Sequence, residues 1–149
     1  MVKPHNFKAF PELTNRQMEI HYLESPHKQI TEDFRAKVVK VTDGDTISVR
    51  WRERDFDFPI RLANLQAPEL NERGGKESKN FLEGRILGKE VDIVLSKSRV
   101  EKWGRLLAYI VHQGQNINEE IVERGFGVFW VNREDDKFFD LKKELGGIF

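Results

Sequence analysis

Val41-Thr42-Asp43-Gly44-Asp45-Thr46-Ile47-Ser48-Val49 is a β-branched run that enters and leaves an Asp-Gly turn. No other segment narrows the fold as much, because an Asp-Gly pair between such runs is a short-range signal for a hairpin. Alternating apolar positions at Val39, Val41, Ile47 and Val49 predict two strands around the turn, and Phe56-Asp57-Phe58-Pro59-Ile60-Arg61-Leu62 predicts a third. Gly74-Gly75 then breaks the chain. From about Lys76 to Leu87 the side chains of Phe81, Leu82 and Ile86 share one helical face, and Gly88 is placed to stop that helix. Val91–Leu95 and Arg105–Val111 supply two further strands, making five.

Five short strands with a helix inserted after the third match the element order of a Greek-key OB-fold barrel. The expected class is therefore α+β, mainly β: a five-stranded barrel with two to three helices packed on it. Residues 1–34 form an N-terminal extension and residues 35–149 the barrel domain. In the extension, Thr14 and Gln17 have the spacing of a capping box that opens a short helix running to about Ser25, where Pro26 interrupts it. Phe7, Phe10 and Leu13 make the extension too apolar for a disordered tail. It is expected to pack on the barrel as an added layer of core, or to serve a protein partner or self-association.

The chain has 149 residues, enough for one domain with a real core, and no cysteine, which excludes disulfides and Cys-based metal or nucleophile chemistry. No run approaches the ~18 apolar residues of a membrane span, and the N-terminus leads into no apolar signal core, so a cytoplasmic, intracellular protein is expected. A net charge of zero argues against coating nucleic acid by bulk attraction. The distribution is uneven. Residues 73–105 carry nine Lys or Arg against five Asp or Glu, whereas 119–144 carry five against eight.

Three constellations carry chemistry. Arg61-Leu62-Ala63-Asn64-Leu65-Gln66-Ala67-Pro68-Glu69 sets a cation and a carboxylate at the two ends of a strand and proline turn. An arginine fork binds phosphate through parallel charge-assisted hydrogen bonds, and a nearby carboxylate can orient or deprotonate water. Asp45 is a second carboxylate beyond what the Asp-Gly turn needs, suited to a hard cation. Lys102-Trp103-Gly104-Arg105 joins two cations, an indole and a glycine ahead of the strand Leu106-Leu107-Ala108-Tyr109-Ile110, a combination that suits a nucleotide. His5, His21, His27 and His112 have no zinc or triad spacing.

In this order, Asp-Gly-Asp-Thr, Arg-x7-Glu with Ala-Pro-Glu, and Lys-Trp-Gly-Arg-x-Leu-Ala-Tyr-Ile resemble the staphylococcal nuclease (thermonuclease) family over about residues 35–147. The resemblance continues through Asn118-Glu119-Glu120-Ile121-Val122-Glu123-Arg124-Gly125, similar to the family's helix after the last barrel strands, and into a C-terminal helix. It implies a calcium-assisted nuclease that cuts DNA or RNA. Arg61 and Arg105 match the family's phosphate-gripping arginines, and Glu69 the glutamate that activates or positions water. Lys102 and Trp103 match a lysine and a tyrosine beside the nucleotide, and Trp130 lies near a second such tyrosine.

The family's metal ligands fall on Asp45, Gln66 and the carbonyl of Ala67. Gln66 is a departure: an amide oxygen can still coordinate calcium, but a full negative charge is missing, so Ca2+ is expected to bind weakly. The alternative is a nuclease-fold module weakened in catalysis that binds nucleic acid, or an interaction protein acting through its extension. Retention of Arg61, Glu69 and Arg105 favours the enzyme.

Overall fold

The computed structural model describes residues 3–129; the C-terminal helix expected from the sequence and Trp130 lie outside them. Strands β1 (Phe34–Asp43), β2 (Thr46–Arg50) and β3 (Phe58–Leu62) form an antiparallel meander, followed by the two-residue β4 (Leu65–Gln66). Helix α2 (Gly75–Ile86), preceded in the extension by α1 (Asn15–His21), leads to β5 (Glu90–Val100) and β6 (Leu106–His112). The short β7 (Gln115–Asn116), α3 (Ile117–Glu123) and β8 (Val128–Phe129) complete the described chain. The sheet runs β3-β2-β1-β5-β6, and parallel pairing of β3 with β6 closes it into the five-stranded barrel. Among the described residues three α-helices accompany it, α2 and α3 in the barrel domain and α1 in the extension, in line with the expected OB-fold architecture.

Inward residues of every barrel strand fill the core, Val38, Val41, Ile47, Val49, Ile60, Leu62, Ile93, Leu106 and Ile110 among them, and Leu82 and Ile86 of α2 close one end. The simple alternation expected at Val39 and Val41 does not hold. A register shift between Val38 and Lys40 inserts one residue into β1, so Val38 and Val41 both point inward while Val39 is only half-buried. β5 likewise outruns its expected end at Leu95. Leu95 lies opposite Ala108 and Val100 opposite Leu106, so the extra residues between them bulge, with Arg99 at φ 65°. The helix expected to reach Ser25 stops at His21 and tightens into a 3-10 turn at Tyr22–Glu24, with the Thr14–Gln17 capping box formed.

The extension is tied down by charge as well as by apolar burial. Leu13 and Ile30 are fully buried. Beside them Glu12, 1% exposed, lies between two barrel arginines: Arg54 Nη1 is 2.5 Å from one carboxylate oxygen and Arg99 Nη1 is 3.6 Å from the other. Both forks also donate to backbone carbonyls of the extension, Arg54 to Lys28 (2.7 Å) and Arg99 to Ile30 (2.6 Å) and Leu13. The β5 bulge is what delivers Arg99 to this cluster. Burial pushes the Arg99 guanidinium below its ordinary value and Glu12 opposes the fall.

Removing one partner of a buried ion pair leaves an uncompensated charge and costs about 3–5 kcal/mol, whereas an exposed pair is worth about 0–1 kcal/mol. Glu12→Gln is therefore expected to lower the unfolding free energy in urea by about 3–5 kcal/mol. Glu53→Gln, which breaks the exposed pair with Lys28, should cost less than about 1 kcal/mol. Equal losses in the two variants would show that the Glu12 cluster does not anchor the extension.

Candidate active site

The Asp-Gly hairpin forms, but its glycine is needed for space. Neither Gly44 nor Asp45 has a positive φ. A Cβ on Gly44 would lie 2.0 Å from Ser78 Oγ of α2 and 2.7 Å from Ala67 Cβ. The hairpin tip is thus pressed against α2 and the segment after β4, which brings Asp45 to Ala67. The Ala67 N–H donates to Asp45 Oδ2 (3.0 Å), the Thr46 hydroxyl donates to Oδ1 (3.1 Å), and the Asp45 N–H donates to Asp43 Oδ1 (3.0 Å).

Register places Arg61 opposite Thr46 on the neighbouring strand. Its Nη2 reaches Asp45 Oδ2 at 3.3 Å and its Nη1 donates to the Leu62 carbonyl at 2.7 Å. Arg105 precedes β6, the strand paired in parallel with β3. Its Nε and Nη2 donate to the two oxygens of Glu101 at 2.8 and 3.0 Å, and the charges of Asp45 and Asp43 also act on it. Its pKa is raised, chiefly by the Glu101 hydrogen bonds. Each fork engages only two of an arginine's five N–H donors in these contacts, so both keep donors for a phosphate.

Asp45 is the electrostatic focus. Burial pushes its carboxyl up to about 6; Arg61 and the Ala67 N–H pull it down, while the neighbouring Asp43 carboxyl pushes it up. Glu69 is exposed, and its carboxylate makes no hydrogen bond or ion pair within the described residues. Its backbone, in contrast, is held. The Glu69 N–H donates to Glu72 Oε1 (2.8 Å), its carbonyl accepts from the Glu72 N–H (2.9 Å), and a Cβ on Gly75 would lie 1.8 Å from that carbonyl oxygen. Gly74, at φ 87°, and Gly75 are thus the residues that let α2 start directly against the Glu69 turn.

Gln66 is exposed on β4, opposite Val128 of β8. Among the described residues no group of three or more His, Cys, Asp or Glu side chains is placed to hold a metal ion. Of the three expected calcium ligands only Asp45 offers a carboxylate, and Asp43 is its hydrogen-bonded neighbour. Lys102 Nζ lies 5.1 Å from the centroid of the Trp103 ring, and that indole is 58% exposed. Trp130 falls outside the described residues. The four histidines are all hydrogen-bonded within the fold: His5 to the Phe10 carbonyl, His27 to the Pro11 carbonyl, His21 to Glu24, and His112 to Arg85.

Sequence reasoning missed Glu101. Its i, i+4 spacing to Arg105 was the available signal, although it belongs to a loop rather than to a helix. It also missed Asn118, whose side chain accepts from the Ile110 N–H and donates to the Ala63 and Ala108 carbonyls, tying α3 to the rim where β3 and β6 meet.

A profile of the family described as Staphylococcal nuclease homologue matches residues 59–146. That span includes Arg61, Glu69 and Arg105; Asp45 and the extension precede it. The chain is similar to an uncharacterized endonuclease of Haemophilus influenzae, 35% identical over 89 residues that cover 60% of this chain and 48% of that protein. An uncharacterized endonuclease of Escherichia coli is 32% identical over 94 residues, covering 62% of this chain and 59% of that one. A micrococcal nuclease of Shigella flexneri is 29% identical over 126 residues, covering 75% and 69%. The chain thus spans about half the length of the Haemophilus relative.

Because the folded-state pKa of Asp45 lies above that of an unfolded Asp, the folded protein holds this proton more tightly. The stability contributed by the group is full below about pH 4 and is lost as pH rises through about 6, a change of roughly 2–3 kcal/mol. In chelator-treated protein, carboxyl-carbon NMR should show one aspartate with its midpoint near 6. Arg61→Gln should move that midpoint up and Asp43→Asn should move it down. An Asp45 midpoint near 4 that ignores both substitutions would refute this account of the site.

Proposed function

The chain belongs to the staphylococcal nuclease homologue family, and from that premise we propose that it is a calcium-assisted nuclease that hydrolyses phosphodiester bonds of DNA or RNA by water attack on phosphorus. The observation that carries this reading is the pair of arginines on one barrel rim. Arg61 lies against Asp45, Arg105 lies within the field of Asp45 and Asp43, and each fork has donors to spare.

In the proposed reaction, Arg61 and Arg105 hold the phosphate and stabilise the charge that builds on its equatorial oxygens as water adds. Glu69, whose carboxylate is exposed and has no partner among the described residues while its backbone is anchored, positions that water and accepts its proton. The bond from phosphorus to the leaving 5′-oxygen breaks on the opposite side, and that oxygen takes up a proton from solvent. Asp45, the Ala67 carbonyl and the Gln66 amide oxygen would hold calcium, with Asp43 adding charge nearby. When bound, the ion supplies positive charge to the phosphate and orients water. The donor set, a carboxylate and two neutral oxygens, suits a hard cation: burial pushes the Asp45 carboxyl up to about 6 against the pull of Arg61, so a bound cation would stabilise its ionised form. A module that binds nucleic acid without cutting it is the second reading, favoured by the neutral, exposed Gln66 where the family places a carboxylate.

Cleavage of labelled single-stranded DNA and RNA across a calcium series, with a chelator control, separates these readings. Cleavage that requires calcium supports the nuclease. Binding without cleavage at any calcium level makes the chain a binding module. Arg105→Ala should lower turnover about a hundredfold or more, the usual loss for one contact to transition-state charge, with a smaller effect on thermal stability. Turnover within about threefold of wild type would remove Arg105 from the catalytic set.

Gln66→Asp returns a carboxylate to the metal position. It should tighten calcium binding in calorimetric titration by about ten- to a few hundredfold, the equivalent of ~1–3 kcal/mol of recovered charge interaction. Unchanged affinity would show that residue 66 does not face the ion.

A further inference from the structure

Between the N-terminal extension and the barrel lies a groove of about 500 Å3, a volume in the range of small-ligand sites. Its walls are Phe7 and Pro11 of the extension, His27 of the segment leading into β1, Phe56 of the β2–β3 loop, and Trp103 and Arg105 of the β5–β6 loop. We propose that this groove is a nucleobase subsite, receiving a base of the substrate strand next to the phosphate gripped by Arg61 and Arg105. The proposal rests on the nuclease reading above and adds a part of the site that the barrel alone does not supply.

Continuity with the phosphate site is the first argument. Arg105 belongs to both, lining the groove and sensing the charges of Asp45 and Asp43. A strand whose phosphate reaches Arg105 therefore has a neighbouring base at the groove mouth.

The second argument is the chemistry of the walls. The rings of Phe7, His27 and Phe56 form an edge-to-face series, with centroids 6.3 Å apart at 88° and 5.1 Å apart at 68°. The His27 ring is fixed by its 2.8 Å hydrogen bond to the Pro11 carbonyl. Trp103 holds its indole 58% exposed on a groove wall, beside the Lys102 ammonium. Such rings are sequence-tolerant platforms for bases.

The third argument is charge. Lys8 and Arg105 line the groove; Arg105, though paired with Glu101, keeps N–H donors to spare, and the one carboxylate among the described lining residues, Asp57, has both oxygens engaged by Arg50 at 3.0 Å. This balance favours a polyanionic strand over an apolar peptide.

The extension also sets the loop that carries two of these residues. Gly104, at φ 77°, sits so close to the extension that a Cβ would lie 2.8 Å from Phe10 Cβ and 2.9 Å from its Cα. Trp103 and Arg105 flank this contact. One side of the groove therefore exists only while the extension is docked, which joins the buried Glu12 cluster to substrate binding.

The test is a scan of short single-stranded DNA oligonucleotides, each lacking the base at one position relative to the cut. Binding is read by fluorescence anisotropy and cleavage as kcat/KM, for wild type, His27→Ala and Ala9→Trp. Ala9 is an exposed groove residue outside the Glu12 cluster, so Ala9→Trp obstructs the groove and decides the matter if His27→Ala fails to fold. Wild type should lose about fivefold to a hundredfold at one position beside the scissile phosphate, the range of one base stack. Both variants should treat intact and base-less strands alike at that position.

A flat profile in wild type, or the same single-position loss in both variants, overturns the subsite; with cleavage intact, the nuclease reading stands and the groove is left to a protein segment. Failure of wild type to bind or cut any oligonucleotide overturns both.

Discussion

The parallel pairing of β3 with β6 is the contact on which the rest of this structure depends. Ile60, Arg61 and Leu62 lie opposite Leu106, Leu107 and Ala108. Closing the barrel there buries Ile60, Leu62 and Leu106 in one core. It also leaves Arg61, on the outward alternation of β3, near Arg105 at the entry to β6. The hairpin adds Asp45 through the same rim, because Thr46 pairs with Arg61 and the Leu62 N–H donates to the Asp45 carbonyl at 2.9 Å. Three residues distant in sequence become neighbours through backbone pairing that the apolar core enforces.

The charges on that rim are paired but keep spare arginine donors. Two arginines face three carboxylates, Asp43, Asp45 and Glu101, and each arginine already has a carboxylate partner. Glu101 holds the Arg105 fork in place, which limits the side-chain entropy that an ordered fork must lose on binding phosphate. In the proposed reaction an arriving phosphate would make the rim more negative, and burial already pushes the Asp45 carboxyl up to about 6 against the pull of Arg61. Under the proposed calcium-assisted reading, a divalent cation entering with the substrate would balance that added charge.

Much of the barrel was legible in the sequence because period-2 alternation and Gly or Pro punctuation are local signals. The strands around the Asp-Gly turn, the helix near residues 75–86 and the strand ending at Leu62 lie within a few residues of their expected places. The bulges were not legible. An extra residue at Val39 leaves the composition of β1 unchanged while moving the inward set to Val38 and Val41, and the continuation of β5 past Leu95 depends on a non-glycine residue, Arg99, adopting φ 65°. The reason for Gly44 was also hidden, since its demand comes from Ser78 and Ala67 across space. Of the candidate site, Arg61, Asp45 and Arg105 were named by motif; Arg61 lies 3.3 Å from Asp45, and the charges of Asp45 and Asp43 act on Arg105. The role of Glu101 went unread because i, i+4 spacing suggests a helix and here serves a loop.

The Glu12 cluster shows why such long-range features escape a linear reading. Each member alone reads as an ordinary surface charge, and only the fold assembles a carboxylate, two guanidinium groups and several carbonyls into a space closed to water. An apolar core at this position could be as stable, since burying charge offsets most of the attraction it gains. What the ionic version adds is direction. Arg54 meets Glu12 and the Lys28 carbonyl while its guanidinium lies over the Phe56 and Phe58 rings at 5.0 and 4.5 Å. The extension is thereby held in one register against the β2–β3 loop, and Phe56 is held where it forms a wall of the groove. An apolar contact can slide with little loss; a buried carboxylate with two fixed partners cannot. The groove beside Arg105 thus inherits its shape from a charge cluster outside its own walls.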